Sequence, residues 1–190
     1  MMERTRILVW DLPVRVFHWL LVVTFAGALA TAESERVRDL HVALGYAFIG
    51  LLVFRVAWGL VGSRYARFSS FAYGPKAVAA YLRSLWSRRP QHYLGHNPAG
   101  SLAIFAIIGL GLATGATGYA VYEDLGGHWL EELHEGVADA MLALAAIHVA
   151  GVIVASLLHR ENLVSAMITG YKRRHGGPGH FPEGARGRRR

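Results

Sequence analysis

The sequence predicts an all-α integral membrane protein: a four-helix bundle with both termini cytoplasmic and a short interfacial helix between its second and third spans. Three observations carry that reading. Of 190 residues, 53% are apolar and only 17% are Asp, Glu, Lys or Arg, against about 25% charged in an ordinary soluble domain. Four apolar runs, at 14–31, 41–61, 100–121 and 133–158, are each long enough to cross about 30 Å of hydrocarbon as a helix. The basic residues fall almost wholly into alternate connections between those runs. Four spans would take about 80 positions, which leaves no room for a large second domain.

The first span (VRVFHWLLVVTFAGALAT) follows Arg4 and Arg6 and ends at Ala30, Thr31 and Ala32, a pattern shared with cleaved secretory signals. Its leading region is long, however, carries Asp11 and Pro13, and places His18 and Trp19 inside the segment, so a retained span is expected. The second span is HVALGYAFIGLLVFRVAWGLV. After it, residues 71–86 (FAYGPKAVAAYLRSLW) read as a short amphipathic helix started by Pro75 and lying in the inner interface. Residues 90–100 (PQHYLGHNPAG) form a turn-rich re-entry. The third span has no charged residue on any face, whereas a helix of a soluble bundle needs a polar face. The fourth span completes a membrane domain over 1–174. Residues 175–190 have the Gly, Pro and Arg content of a basic, disordered cytoplasmic tail suited to anionic lipid headgroups.

Orientation follows from Lys and Arg in the connections. Three lie in residues 1–15, six between the second and third spans and eight after Leu158, while the two short connections hold only Arg36 and Arg38. Both termini are therefore expected to be cytoplasmic. The opposite side presents Glu33, Glu35, Asp39, Glu123, Asp124, Glu131 and Glu132. The net charge of +7 is thus topological, and nucleic-acid binding is not expected.

The chain has no cysteine, which excludes disulfides, thiolate zinc sites, iron–sulfur clusters, thiol nucleophiles and haem attached through Cys-x-x-Cys-His. Ten histidines remain. Ionisable groups at membrane depth are costly and face the bundle interior. His18, His41, His134 and His148 qualify, and no catalytic residue is assigned. His134 and His148 are 14 residues apart, four turns less about 40°, so they share one face with about 21 Å between them. His41 opens an inward-running helix and pairs with His134 at the outer end; His18 pairs with His148 in the inner half. The inner pair is not level, because His18 stands about 8 Å from Pro13 and His148 about 15 to 18 Å from the end of its helix. Tilt or a longer fourth helix must absorb the difference.

Neutral imidazole binds iron, copper, nickel or zinc. One ligand from each of two facing helices suits haem, whereas zinc wants three or four ligands at one point. Gly45, Gly50, Gly109, Gly111, Gly115 and Gly118 offer close approach for such a plane, or simply helix packing. Arg55 lies 14 residues after His41, on the same face and at the inner level, where a haem propionate would be a fitting bidentate partner; a lipid phosphate or Asp139 is the plainer alternative. His159 continues the stripe of His148 and is a candidate proton carrier at a quinone pocket or a headgroup contact. His92, His96, His128, His175 and His180 fall in connections or the tail and are expected to be solvated.

The blocks VWDLPVRVFHW, HVALGYAFIGLLVFRVAWGLVG, GHNPAG, LHE, AAIHV and HRENLVSAMITGYKR together resemble the bacterial cytochrome b561 family, which includes the cytochrome b subunits of nickel–iron hydrogenases. The resemblance covers about residues 8–174. It implies two non-covalent haem b groups whose iron ligands fall on His18, His41, His134 and His148, with electrons exchanged between a partner redox protein and the quinone pool. A periplasmic c-type cytochrome, steered by the acidic outer side, and a hydrogenase-like subunit are the partners in view, and a homodimer stays open. A pure electron carrier and a quinone-reactive oxidoreductase subunit are equally compatible. Two other classes remain: a haem-free membrane anchor, and a transporter using the intramembrane His and Arg as relays for protons or substrate.

Overall fold

The structure, a computed structural model, describes residues 6–85, 91 and 93–173. The expected tail, with His175 and His180, lies outside the described residues, as does His92. Helix α1 (Leu12–Thr31) is capped by Asp11, whose Oδ1 accepts the Val14 N–H at 2.8 Å, and carries Pro13 in its first turn. A 3-10 turn leads to α2 (Arg38–Val61). Helix α3 (Pro75–Leu85) starts at the expected proline. Helix α4 (Pro98–Tyr122) is capped by Asn97, whose Oδ1 accepts from Gly100 N at 2.7 Å. Helix α5 (His128–His159) is followed by the short α6 (Leu163–Thr169).

Helices α1, α2, α4 and α5 are long and apolar enough to cross a membrane. Their outward faces carry exposed Val23, Val53, Leu102 and Ile147, the surface that lipid rather than water would cover. All four spans meet in one core of Phe48, Leu52, Ile108 and Met141, with Leu21 and Phe25 packed on it. Helices α2 and α4 come close because a Cβ on Gly111 would lie 2.7 Å from Leu52 Cδ1, so only glycine fits without displacing a fully buried leucine.

Each span is longer than its apolar run. Helix α5 begins five residues before 133, because its first turn is stabilised in solvent: exposed His128 faces Glu131 at 3.2 Å and Glu132 at 3.5 Å. That extension lies at the end carrying the two short connections. At the other end the chain turns at Arg160, in the left-handed conformation, and α6 returns so that Arg15 donates to the Ile168 carbonyl. The start of helix α1 therefore lies beside the end of α6.

One feature departs from the all-α expectation. Strands β1 (Arg6–Leu8) and β2 (Tyr171–Arg173) pair antiparallel, with Ile7 opposite Lys172. Gly170 sets up this return: its φ of 87° is open to glycine, and its carbonyl accepts from Val9 N at 2.9 Å and Trp10 N at 3.1 Å. Val9, Trp10, Val14, Ala66 and Ala166 form a second core beneath the strands. Three-residue strands carry no alternation that could be read in advance.

Candidate functional site

The structure brings His41 and His134 together. Their ring centres are 6.3 Å apart and their planes nearly perpendicular, at 88°. Each Nδ1 is engaged by a neighbouring helix: His41 Nδ1 donates to the Ala28 carbonyl at 2.9 Å and His134 Nδ1 to the Thr114 carbonyl at 3.1 Å. Ala28 lies in the last turn of α1, where its carbonyl also accepts from Thr31 Oγ1 at 3.1 Å, so the imidazole shares that acceptor. Thr114 is inside α4, and its carbonyl also accepts from Thr117 Oγ1 at 3.0 Å, so the imidazole shares that acceptor too. Thr117 Oγ1, 3.1 Å from His134 Nδ1, adds a contact on the same side. With Nδ1–H donated on both rings, both Nε2 atoms are left as free bases, the arrangement that metal-ligating histidines adopt.

A separation of 6.3 Å between the ring centres leaves room for a metal ion that the two imidazoles could hold between them. Gly118 makes room for one ring, since a Cβ there would lie 2.9 Å from His134 Cε1. The other glycines divide. Gly111 and Gly115 admit Leu52 and Ile49 in helix packing, while a Cβ on Gly45, Gly50 or Gly109 would meet nothing within 4 Å.

His18 and His148 are electrostatic neighbours. His18 stands edge-on to Trp19, with ring centres 5.2 Å apart, and its Nδ1 is buried without a protein partner. Arg55 is 4% exposed, with its guanidinium 4.8 Å over the Phe68 ring and 5.8 Å from that of Phe71. Its acidic neighbour is Asp11, not the Asp139 weighed above. Asp11 is already committed, through Oδ1 to the α1 cap and through Oδ2 to Trp58 Nε1 at 3.1 Å. Arg55 Nη1 is left buried with no acceptor. His159 is the last residue of α5 and is half-buried.

His96 overturns one expectation. It is not solvated: its ring sits 4.5 Å from that of Trp10 and 4.3 Å from that of Phe71, with Nδ1 buried and unpartnered. Burial first, then Arg55, Lys172 and His148, lower its pKa to about 3, so it is neutral. Lys172 was not singled out by sequence. It is 8% exposed, its ammonium is 6.0 Å from the Trp10 ring, and burial lowers its pKa against the opposing pull of Glu161. Nothing local marks either residue, because both are enclosed by chain that returns from far away. His128, by contrast, is exposed as expected. At the same end of the bundle as His41 and His134, Glu33, Glu35, Asp39, Glu123, Asp124, Glu131 and Glu132 are all exposed.

Comparison with known proteins places these residues in a wider setting. The profile of the family described as Prokaryotic cytochrome b561 matches residues 9–170. A protein of Azotobacter chroococcum named "Probable Ni/Fe-hydrogenase B-type cytochrome subunit" is 27% identical, covering 90% of each chain. A protein of the same name from Rhodobacter capsulatus is 27% identical over 90% of this chain and 82% of its own. The corresponding "Ni/Fe-hydrogenase 1" protein of Escherichia coli K12 is 26% identical over 61% of this chain and 60% of its own. No solved structure matches the chain.

Proposed function

The chain belongs to the prokaryotic cytochrome b561 family, and from that premise we propose that it carries electrons across the bacterial inner membrane between the quinone pool and a partner redox protein. The observation that carries the reading is the outer histidine pair, with ring centres 6.3 Å apart and both Nδ1 atoms engaged by backbone carbonyls. When bound, haem b would supply a one-electron iron couple. His41 and His134 hold one haem; His18 and His148 hold the other.

The protein's own part is positional and electrostatic. The Ala28 and Thr114 carbonyls fix the tautomer and plane of the outer imidazoles and raise their basicity. The core of Phe48, Leu52, Ile108 and Met141 separates the two levels and excludes water from between them. Arg55 offers a buried, uncommitted guanidinium to a propionate of the inner haem. The inner half, near His18, Arg55, His148 and His159, is the side assigned to quinone, with His159 placed to pass a proton at the helix end. The positive bias of the terminal side assigns both termini to the cytoplasm. The exposed acidic face then lies in the periplasm, suited to a basic c-type cytochrome or to a hydrogenase-like subunit of the kind that the relatives' names record.

Proteoliposomes test the reading. With duroquinol outside and ferricyanide trapped inside, the parent protein is expected to reduce the trapped acceptor. His41→Ala and His18→Ala should each abolish that reduction by breaking one of two stations. Undiminished transfer in either variant would overturn the reading.

A further inference from the structure

Three basic side chains from distant parts of the chain converge below His148: Arg55 from α2, His96 from the loop before α4 and Lys172 from β2. The His96 ring lies within electrostatic reach of Arg55, Lys172 and His148 together. Trp10 forms a shared wall, 4.5 Å from the His96 ring centre and 6.0 Å from the Lys172 ammonium. Two of the three are cations almost closed off from solvent, at 4% exposure for Arg55 and 8% for Lys172. Enclosing two like charges is costly unless an anion joins them. Asp11, which influences Arg55, already serves the α1 cap and Trp58, and Glu161, on the turn after α5, is an acidic neighbour of Lys172 that lines the same surface pocket. Arg55 Nη1, a donor, and the His96 ring nitrogen Nδ1 are both buried with no hydrogen-bond partner.

We propose that Arg55, His96 and Lys172 form one cradle for a pair of carboxylates, the two propionates of the haem held by His18 and His148, with β2 as the clasp that closes it. The inference rests on the dihaem reading above and extends it to residues that neither topology nor histidine spacing singled out. A guanidinium fork takes one carboxylate bidentately, and the ammonium takes the other as a point charge. Neutral His96 contributes an N–H without adding a third positive charge. The clasp is built by backbone: Gly170 binds Val9 and Trp10, and the β1–β2 register puts Lys172 opposite Ile7. A Cβ at Gly170 would lie 2.7 Å from the Trp10 carbonyl, so this return is shaped by glycine. A phospholipid phosphate shares the anion chemistry, and the test separates the two sources.

The test is a potentiometric titration of the haem-replete protein with Lys172→Met and Lys172→Arg. A cation beside a propionate favours ferrous over ferric iron, so its loss should shift the inner couple about tenfold toward ferric, 59 mV lower for one electron. The outer couple should not move, and Lys172→Arg should restore the parent value. The outer haem also reports that the variant is folded. If both haems bind and the inner couple stays put in Lys172→Met, the cradle is refuted while the dihaem reading stands. The same holds if bound phosphorus, assayed after delipidation, falls in Lys172→Met with the inner couple unmoved, since the anion is then a lipid phosphate. If the parent lacks an inner haem, the dihaem reading itself fails, and the cradle with it.

Discussion

Gly118→Ala tests whether the outer site depends on close approach of α4 to the His134 ring. The added methyl would lie 2.9 Å from His134 Cε1 and 3.3 Å from Nδ1. Ordinary carbon–carbon contact begins near 3.5 Å, so the ring must retreat by about half an ångström. It cannot do so freely, because Nδ1 is held by the Thr114 carbonyl at 3.1 Å and flanked by Thr117. Overpacking of this kind costs about 1 to 3 kcal/mol, which lowers haem affinity at that site by about 5- to 150-fold. Haem-depleted protein titrated with hemin and followed by its low-spin Soret band should show one site weakened and the other at parent affinity. Gly109→Ala is the control, since a Cβ there meets nothing within 4 Å, and it should titrate as the parent. Parent-like titration of Gly118→Ala, or equal weakening of both sites, would refute the assignment of His134 to one outer haem.

Two other outcomes follow. His41→Ala should abolish the outer haem and His18→Ala the inner one, resolved by their separate midpoint potentials; loss of the same haem in both variants would break the pairing. His96 bears on acid stability. Its folded pKa of about 3, against an ordinary 6.5, means that the unfolded chain binds the extra proton, so stability falls as pH drops from about 6.5 toward 3. The ceiling on that loss is about 5 kcal/mol. Haem-stripped His96→Phe should therefore lose less thermal stability on acidification than the parent, and a parallel fall would contradict the enclosed, neutral imidazole.

The spans were legible because each is an unbroken apolar run, and a bilayer constrains length more sharply than a soluble core does. Their ends were not, since the first turn of α5 rests on surface pairs between His128 and the two glutamates, outside any hydropathy signal. The outer pair was legible because helix direction alone puts residues 41 and 134 at one end. The return through α6, which brings Ile168 to Arg15, is a tertiary feature that no span pattern carries. His96 looked like a loop histidine because its walls, Trp10 and Phe71, come from other segments. Lys172 entered the sequence reading only as one of the basic residues after Leu158, and the β1–β2 pairing is what encloses it. The glycines showed that close approach was needed without showing where: Gly118 serves a histidine, and Gly111 and Gly115 serve aliphatic packing.

The central claim is that four histidines on four helices of one chain hold two haems. The most direct measurement is the haem-to-chain ratio of detergent-purified protein by pyridine haemochrome, paired with the electron paramagnetic resonance spectrum of the oxidised form. Two non-covalent haem b groups per chain with low-spin, bis-histidine signals are expected. A ratio near zero after haem-replete expression, or high-spin iron at either site, would contradict the account.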